Sequence, residues 1–152
     1  MGAEARLREL GIDLSYRPRP VANYVPSVRV GNLVFLSGHG PIRPDQSRIK
    51  GVVGKDLDER QAYDAARVVG IAVLASLKAE LGDLDQVKRI VKVLGMVNAV
   101  PGFTNHPQVI NGFSDLMVEV FGDQGRHARS AVGMASLPGG IPVEVEMVVE
   151  VT

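Results

Sequence analysis

The chain has 152 residues, of which 45% are hydrophobic and 22% charged, as expected for one globular domain with its own core. It contains no cysteine, so disulfides, thiolate catalysis and zinc–thiolate sites are excluded, and a cytoplasmic location is expected. Zero net charge and 5% aromatic residues argue against nucleic-acid binding, which relies on excess positive charge and stacking platforms.

The first 20 residues are predicted to form a surface arm ahead of a single domain over residues 21–152. Ala3 to Leu10 has the composition of a short helix that Gly11 ends, and Pro18 and Pro20 then favour an extended path. The N-terminal run MGAEARLREL is charged, and the chain has no run of about 18 apolar residues. Neither a secretory signal nor a membrane span is therefore expected.

A β-hairpin is predicted within residues 28–37, because two β-rich runs flank the turn pair Gly31-Asn32. The segment from Gly38 to Leu57 is rich in glycine, proline and charge. Long loops of this kind are often functional.

Two amphipathic helices and a strand are predicted in the middle of the chain. The first helix runs from Glu59 to Leu81, with Asp58 as its N-cap in a capping box. A β-branched run predicts a strand over residues 87–100. Pro107 suits the first turn of the second helix, which Gly122 ends.

The C-terminal part is predicted to be a strand pair, with residues 128–137 and 143–151 joined by a turn at Pro138–Gly140. Strict alternation over residues 143–151 places valines and Met147 on one face and Glu144 and Glu146 on the other. The predicted order is β-β-α-β-α-β-β, an α+β fold in which two helices cover one face of a mixed sheet. The opposite face is expected to be solvated in a monomer, or to line an interface in an oligomer.

Two segments carry a resemblance to a known family. HARSAVGMASLPGGIPVEVEM, residues 127–147, resembles the RidA/YjgF signature, and RVGNLVFLSGHGP, residues 29–41, resembles that family's early hairpin. The resemblance implies a chorismate-mutase-like fold and homotrimers with clefts between subunits. It further implies hydrolysis of enamines and imines to a 2-oxo acid and ammonia, without a metal or other cofactor.

The same resemblance assigns candidate roles to individual residues. It implies that Arg129 binds a substrate carboxylate and that Glu144 positions the attacking water. Tyr24 and Asn111 match further cleft positions of the family. Where the family often has cysteine, this chain has Ala131, a position that is expected to act mainly through its backbone.

Other candidates follow from position along the chain. Ser37 and His39 lie at the end of a predicted strand, where cleft residues collect. The three histidines show no metal-ligand spacing. If the last two strands pair as a hairpin, Arg129 lies opposite Glu150 and roughly 20 Å from Glu144 at ~3.3 Å per residue. A site using both residues would then need a second subunit.

Explanations other than the proposed roles remain open at this point, both for the individual residues and for the function. Arg129 could pair with Glu150 across the strands, Glu144 could be a solvated strand residue, and Tyr24 could serve packing alone. At the level of function, the alternatives to a deaminase are a non-catalytic trimer that binds a small carboxylate metabolite and, less favoured by charge and composition, a ribonuclease.

Overall fold

A computed structural model describes all residues from 1 to 152. Three helices and five strands follow one another along the chain, with short 3₁₀ turns between them. In chain order they are α1 (Ala3–Glu9), β1 (Ser27–Val30), β2 (Leu33–His39), α2 (Glu59–Leu81), β3 (Val87–Asn98), α3 (His106–Phe121), β4 (Ala128–Met134) and β5 (Val143–Val151). The predicted α+β order is confirmed, and the predicted short N-terminal helix precedes it as α1.

The sheet is mixed, with strand order β1-β2-β5-β3-β4. Only β3 and β4 run parallel, while the other neighbours are antiparallel. The predicted hairpin between the last two strands is therefore wrong, because β3 lies between β4 and β5. A strand, a helix and a parallel strand form a βαβ unit in which α3 crosses back over the sheet. After β4 the chain crosses past β3 once more, and β5 then pairs with the opposite edge of β3.

Helices α2 and α3 form one layer over one face of the sheet. Asp58 caps α2, with both hydrogen bonds of the predicted capping box present. The α3 stripe is fully buried between α2 and the sheet, including Phe113, Leu116 and Met117. The two helices approach closely at Gly112, where an added Cβ would collide with the backbone oxygen of Tyr63.

The N-terminal segment is more tightly integrated than a surface arm. Ala3, Leu7 and Leu14 belong to the main hydrophobic core. Glu4 accepts a hydrogen bond from Lys78 Nζ at 2.6 Å and another from the backbone N–H of Leu84 at 2.9 Å. The predicted short helix is present, and its apolar side covers part of the core that α2 and α3 leave open.

The face of the sheet opposite the helices carries a band of apolar side chains. Val28 is 51% exposed, Phe35 44% and Val132 38%, and the strands between them contribute the less exposed Leu94 and Val148. These side chains alternate along their strands with the buried, helix-facing positions, so the apolar band is an uncovered surface.

No helix in the structure is long and apolar enough to cross a membrane.

Candidate functional site

Arg129 is held in a defined orientation by α3. It lies on the edge strand β4, in register with Val93 of β3, and is only partly exposed. Its Nη1 donates to Asn111 Oδ1 at 2.9 Å and to Ser114 Oγ at 3.1 Å, and Nη2 donates to the Pro107 carbonyl at 3.4 Å. A guanidinium has five N–H donors. Nε–H and one N–H of Nη2 therefore remain for a ligand.

A second layer of hydrogen bonds orients Ser114. His127 Nδ1 lies 2.6 Å from the Gly125 carbonyl, which can only accept, so this nitrogen carries the proton of the neutral ring. Nε2, 2.9 Å from Ser114 Oγ, then accepts the hydroxyl hydrogen. The Ser114 oxygen is left to accept from Arg129. Burial, together with the charge of Arg129, lowers the pKa of His127, opposed by its bond to Gly125, which keeps the ring in this neutral state.

The surroundings of Arg129 form a shallow depression rather than a closed pocket. It is lined by Ser114, Asp115, His127 and Arg129 among six residues. Partial burial lowers the pKa of Arg129, and the nearby Asp115 carboxylate opposes that shift. Asp115 also accepts a hydrogen bond from Tyr63 at 2.6 Å. The guanidinium remains charged at neutral pH, so the depression suits a small anion.

Glu144 lies on the other face of the sheet. It is in register with Met96, and its carboxylate lies against Gly38, where a Cβ would be 2.5 Å from Oε2. Desolvation by burial raises the pKa of Glu144, and the charge of Glu146 raises it further. The raised pKa brings this half-buried carboxyl nearer to the range in which one group both accepts and returns a proton.

Ser37 and His39 are both committed to bonds within the protein. Ser37 Oγ donates to the Val25 carbonyl at 2.6 Å. His39 is buried, with Nδ1 2.6 Å from the Ser37 carbonyl and Nε2 2.7 Å from Ser76 Oγ. By the same reasoning as for His127, Nδ1 carries the proton and Nε2 accepts from Ser76. These hydrogen bonds hold the turn in place. Burial lowers the pKa of His39, and its hydrogen bond to the Ser37 carbonyl opposes that shift.

A small cleft of roughly 40 Å³ lies beside this turn. Tyr24, 45% exposed, lines it together with Gly38 and His39, and two arginines, Arg19 and Arg48, complete its charged lining. No acidic residue lines the cleft. The structure thus brings Tyr24, Ser37, His39 and Glu144 to one region of the molecule.

The remaining candidate residues lie in a second region of the molecule. Arg129, Asn111 and Ala131 belong to β4 and α3, with the half-buried Ala131 packed against the core. Within one chain, Arg129 and Glu144 are separated by β3 and project from opposite faces of the sheet. The alternative pairing of Arg129 with Glu150 is not formed, because β3 lies between β4 and β5. Glu150 contacts Lys88 and Asn32 instead.

Sequence reasoning missed several residues of these two regions. Ser114 follows Asn111 by three positions, a helical spacing that places both on one face, and this signal was available. His127 precedes Arg129 by two positions, which is strand periodicity. Arg19 and Arg48 carried no signal, because nothing in the chain order relates them. No group of three or more histidine or acidic side chains lies close enough together to hold a metal ion.

Comparison with known proteins agrees with this architecture. Residues 4–147 match the family model described as "YjgF/chorismate_mutase-like, putative endoribonuclease". A crystal structure from Shewanella oneidensis MR-1, described as a "putative endoribonuclease", superimposes with a TM-score of 0.94 at 29% identity, covering 99% of this chain and 100% of that one.

Two relatives extend the comparison. Protein TCP17 of Trypanosoma cruzi is 44% identical over 147 residues, covering 96% of this chain and 92% of its own length. The 2-iminobutanoate/2-iminopropanoate deaminase of Dermatophagoides farinae is 30% identical over 133 residues, covering 87% and 88%. The family match includes the N-terminal helix and nearly all of the sheet, and the fold is chorismate-mutase-like. This chain belongs to the YjgF/RidA family.

Proposed function

We propose that this protein hydrolyses small 2-imino acids, and the enamines in equilibrium with them, to 2-oxo acids and ammonia. The observation that carries the proposal is the fixed guanidinium of Arg129, which keeps two N–H donors for a ligand. A planar two-donor group matches a carboxylate. A relative named as a deaminase of 2-imino acids, 30% identical to this chain, supports the choice of reaction.

The reaction needs a water and a proton route. Water adds to the carbon of the protonated imine while Glu144 accepts one of its protons, giving a neutral carbinolamine. Glu144 then passes this proton to the nitrogen. As the C–N bond breaks and the C=O bond forms, ammonia leaves and the hydroxyl proton returns to Glu144, from which it passes to the departing ammonia. Desolvation by burial and the neighbouring Glu146 raise the pKa of Glu144, which favours a group that must both take and give a proton.

The site is proposed to form between subunits of a homotrimer. Arg129 and Glu144 project from opposite faces of one sheet, so one chain does not bring them together. The apolar band around Phe35 and Val132 is uncovered in the single chain, and burying it against a second copy is favourable. Such packing would bring Arg129 of one subunit towards Glu144 of the next.

The test is release of ammonia and 2-oxo acid from an imine generated in situ, measured for wild type and for Arg129→Ala. We expect a loss of about 100-fold or more in kcat/KM, since a charge-assisted bidentate contact is removed. Arg8→Ala is the matched control, because this exposed arginine lies in the last turn of α1, outside the depression around Arg129. Equal rates for wild type and Arg129→Ala would remove Arg129 from the mechanism.

Glu144→Gln separates an enzyme from a binding protein. The enzyme should lose turnover in this variant and still bind a 2-oxo acid, because Arg129 is unchanged. Wild-type protein that binds a 2-oxo acid through Arg129 without any turnover would instead be a metabolite-binding protein. Sedimentation measurements on the same samples test the trimer, and a monomer at assay concentration would contradict the shared site.

A further inference from the structure

The cleft beside the Gly38–Gly40 turn has a charge pattern that the proposed mechanism does not use. Arg19 and Arg48 line it, and neither forms an ion pair or a side-chain hydrogen bond within the protein. Tyr24 and the buried His39 supply further polar lining. Two unpaired guanidinium groups around one concavity, with no carboxylate in its wall, repel each other unless an anion lies between them.

The backbone holds Arg19 beside this concavity. Leu14 anchors the preceding segment in the core, the Tyr16 hydroxyl donates to the Ile42 carbonyl at 3.5 Å, and Gln46 Nε2 donates to the Arg17 carbonyl at 3.2 Å. Arg19 itself directly precedes Pro20, which disfavours helical backbone at Arg19 and favours an extended conformation. Little backbone entropy is therefore lost when Arg19 binds a ligand.

Arg48 is placed by the loop that Gln46 belongs to. Ile42 and Arg48 form an isolated antiparallel bridge, closed by a turn in which Asp45 accepts from both the N–H and the hydroxyl of Ser47. Asp45 is the acidic residue of this turn. Its carboxylate accepts hydrogen bonds from Ser47 and lies near the positive charge of Arg43. The Arg48 guanidinium is left without a partner at the cleft.

The position of the cleft relates it to the proposed reaction. Gly38 is part of its wall, and the Glu144 carboxylate lies directly against Gly38. We propose that Arg19 and Arg48 form a subsite for a second acidic group, so that the preferred substrates are 2-imino acids with a carboxylate or phosphate at the far end. This inference rests on the proposed function: the 2-carboxylate binds the neighbouring subunit's guanidinium and the distal anion binds here.

The experiment compares substrates and variants in the full-length protein. Turnover is measured with the imines of a monocarboxylic and a dicarboxylic amino acid, and binding with 2-oxobutanoate, 2-oxoglutarate and inorganic phosphate by calorimetry. The variants are Arg19→Gln, Arg48→Gln and their combination. Lys50→Gln is the control, since Lys50 is an exposed cation on the same loop outside the cleft.

We expect wild type to prefer the dicarboxylic substrate by about ten-fold or more in kcat/KM. Charge-assisted hydrogen bonds from the two arginines to the distal carboxylate are strong enough to give a preference of this size. The double variant should lose this preference while keeping its rate on the monocarboxylic substrate, and Lys50→Gln should behave as wild type. Competition by phosphate that is stronger than by 2-oxobutanoate, and lost in the double variant, would identify the distal group as a phosphate.

Each contrary outcome identifies which proposal fails. If the double variant keeps the wild-type ratio between the two substrates, the subsite is wrong and the deaminase proposal stands. If wild type turns over neither imine yet binds 2-oxoglutarate through Arg19 and Arg48, the deaminase proposal fails and the anion subsite stands. If wild type neither turns over nor binds any of these acids, both proposals are overturned.

Discussion

The crossing of α2 and α3 should depend on Gly112. This residue is buried, and a Cβ placed on it would collide with the backbone oxygen of Tyr63 on α2. A backbone oxygen cannot turn aside as a side chain can, so in Gly112→Ala the helices must separate. Overpacking of this kind costs about 3 kcal/mol at its upper range, while alanine in place of helical glycine returns about 1 kcal/mol. The expected net loss is about 2 kcal/mol of unfolding free energy.

Gly70→Ala is the matched control on the same interface. Its Cβ would meet a terminal methyl of Leu116, Cδ2, at 2.8 Å, and its other neighbours lie at 3.4 Å or beyond. The flexible end of a leucine can turn, so contact and helix propensity should nearly cancel. Urea unfolding followed by circular dichroism, at one protein concentration because assembly contributes to stability, compares the two variants. Equal stability of Gly112→Ala and Gly70→Ala would refute the reasoning.

Three further predictions concern the N-terminal helix and the buried histidines. Leu7→Ala should cost about 2–5 kcal/mol, because Leu7 is 3% exposed, whereas Leu10→Ala, at 41% exposure, should be nearly neutral; urea midpoints of the two compare them. Ser76→Ala removes the partner of His39 Nε2 and should cost about 1–3 kcal/mol, measured in the same way. His39 and His127 have folded pKa values below 6.5, so the unfolded chain binds more protons and stability should fall as pH drops below about 6.5. Unfolding curves from pH 7.5 to 5.5 should show this slope, reduced in His127→Gln by up to about 1.4 kcal/mol per pH unit; an unchanged slope would contradict the assignment of a neutral His127.

Periodicity and capping were sufficient to predict the individual elements. The bounds of α2 and β5 follow from features within 3–4 residues along the chain, such as the Asp58 capping box and the alternation around Met147. Strand neighbours depend on how the chain crosses the sheet. The parallel pairing of β3 with β4 is a tertiary property of the α3 crossover, and the alternation within a strand contains no information about it.

The candidate site shows the same division between local and tertiary information. Asn111 and Arg129 are 18 residues apart and were identified separately through the family resemblance, but only the packing of α3 on β4 makes one hold the other. Ser114 and His127 enter the site because they complete that arrangement. Arg19 and Arg48 meet at a cleft because hydrogen bonds of Tyr16 and Gln46 fasten two loops together, and such loop-to-loop contacts have no periodic signature.

The register of the sheet, rather than distance along a hairpin, separates Arg129 from Glu144. Arg129 is in register with Val93, whereas Glu144 is in register with Met96, three positions further along β3. An odd offset on one strand means opposite faces of the sheet, and side chains on opposite faces cannot meet whatever rotamers they adopt. If both act on one substrate, the second residue must come from another copy whose sheet presents the opposite face to the same cleft. A chain whose catalysis depends on both residues should therefore lose activity on dilution to monomers, with no change in its fold.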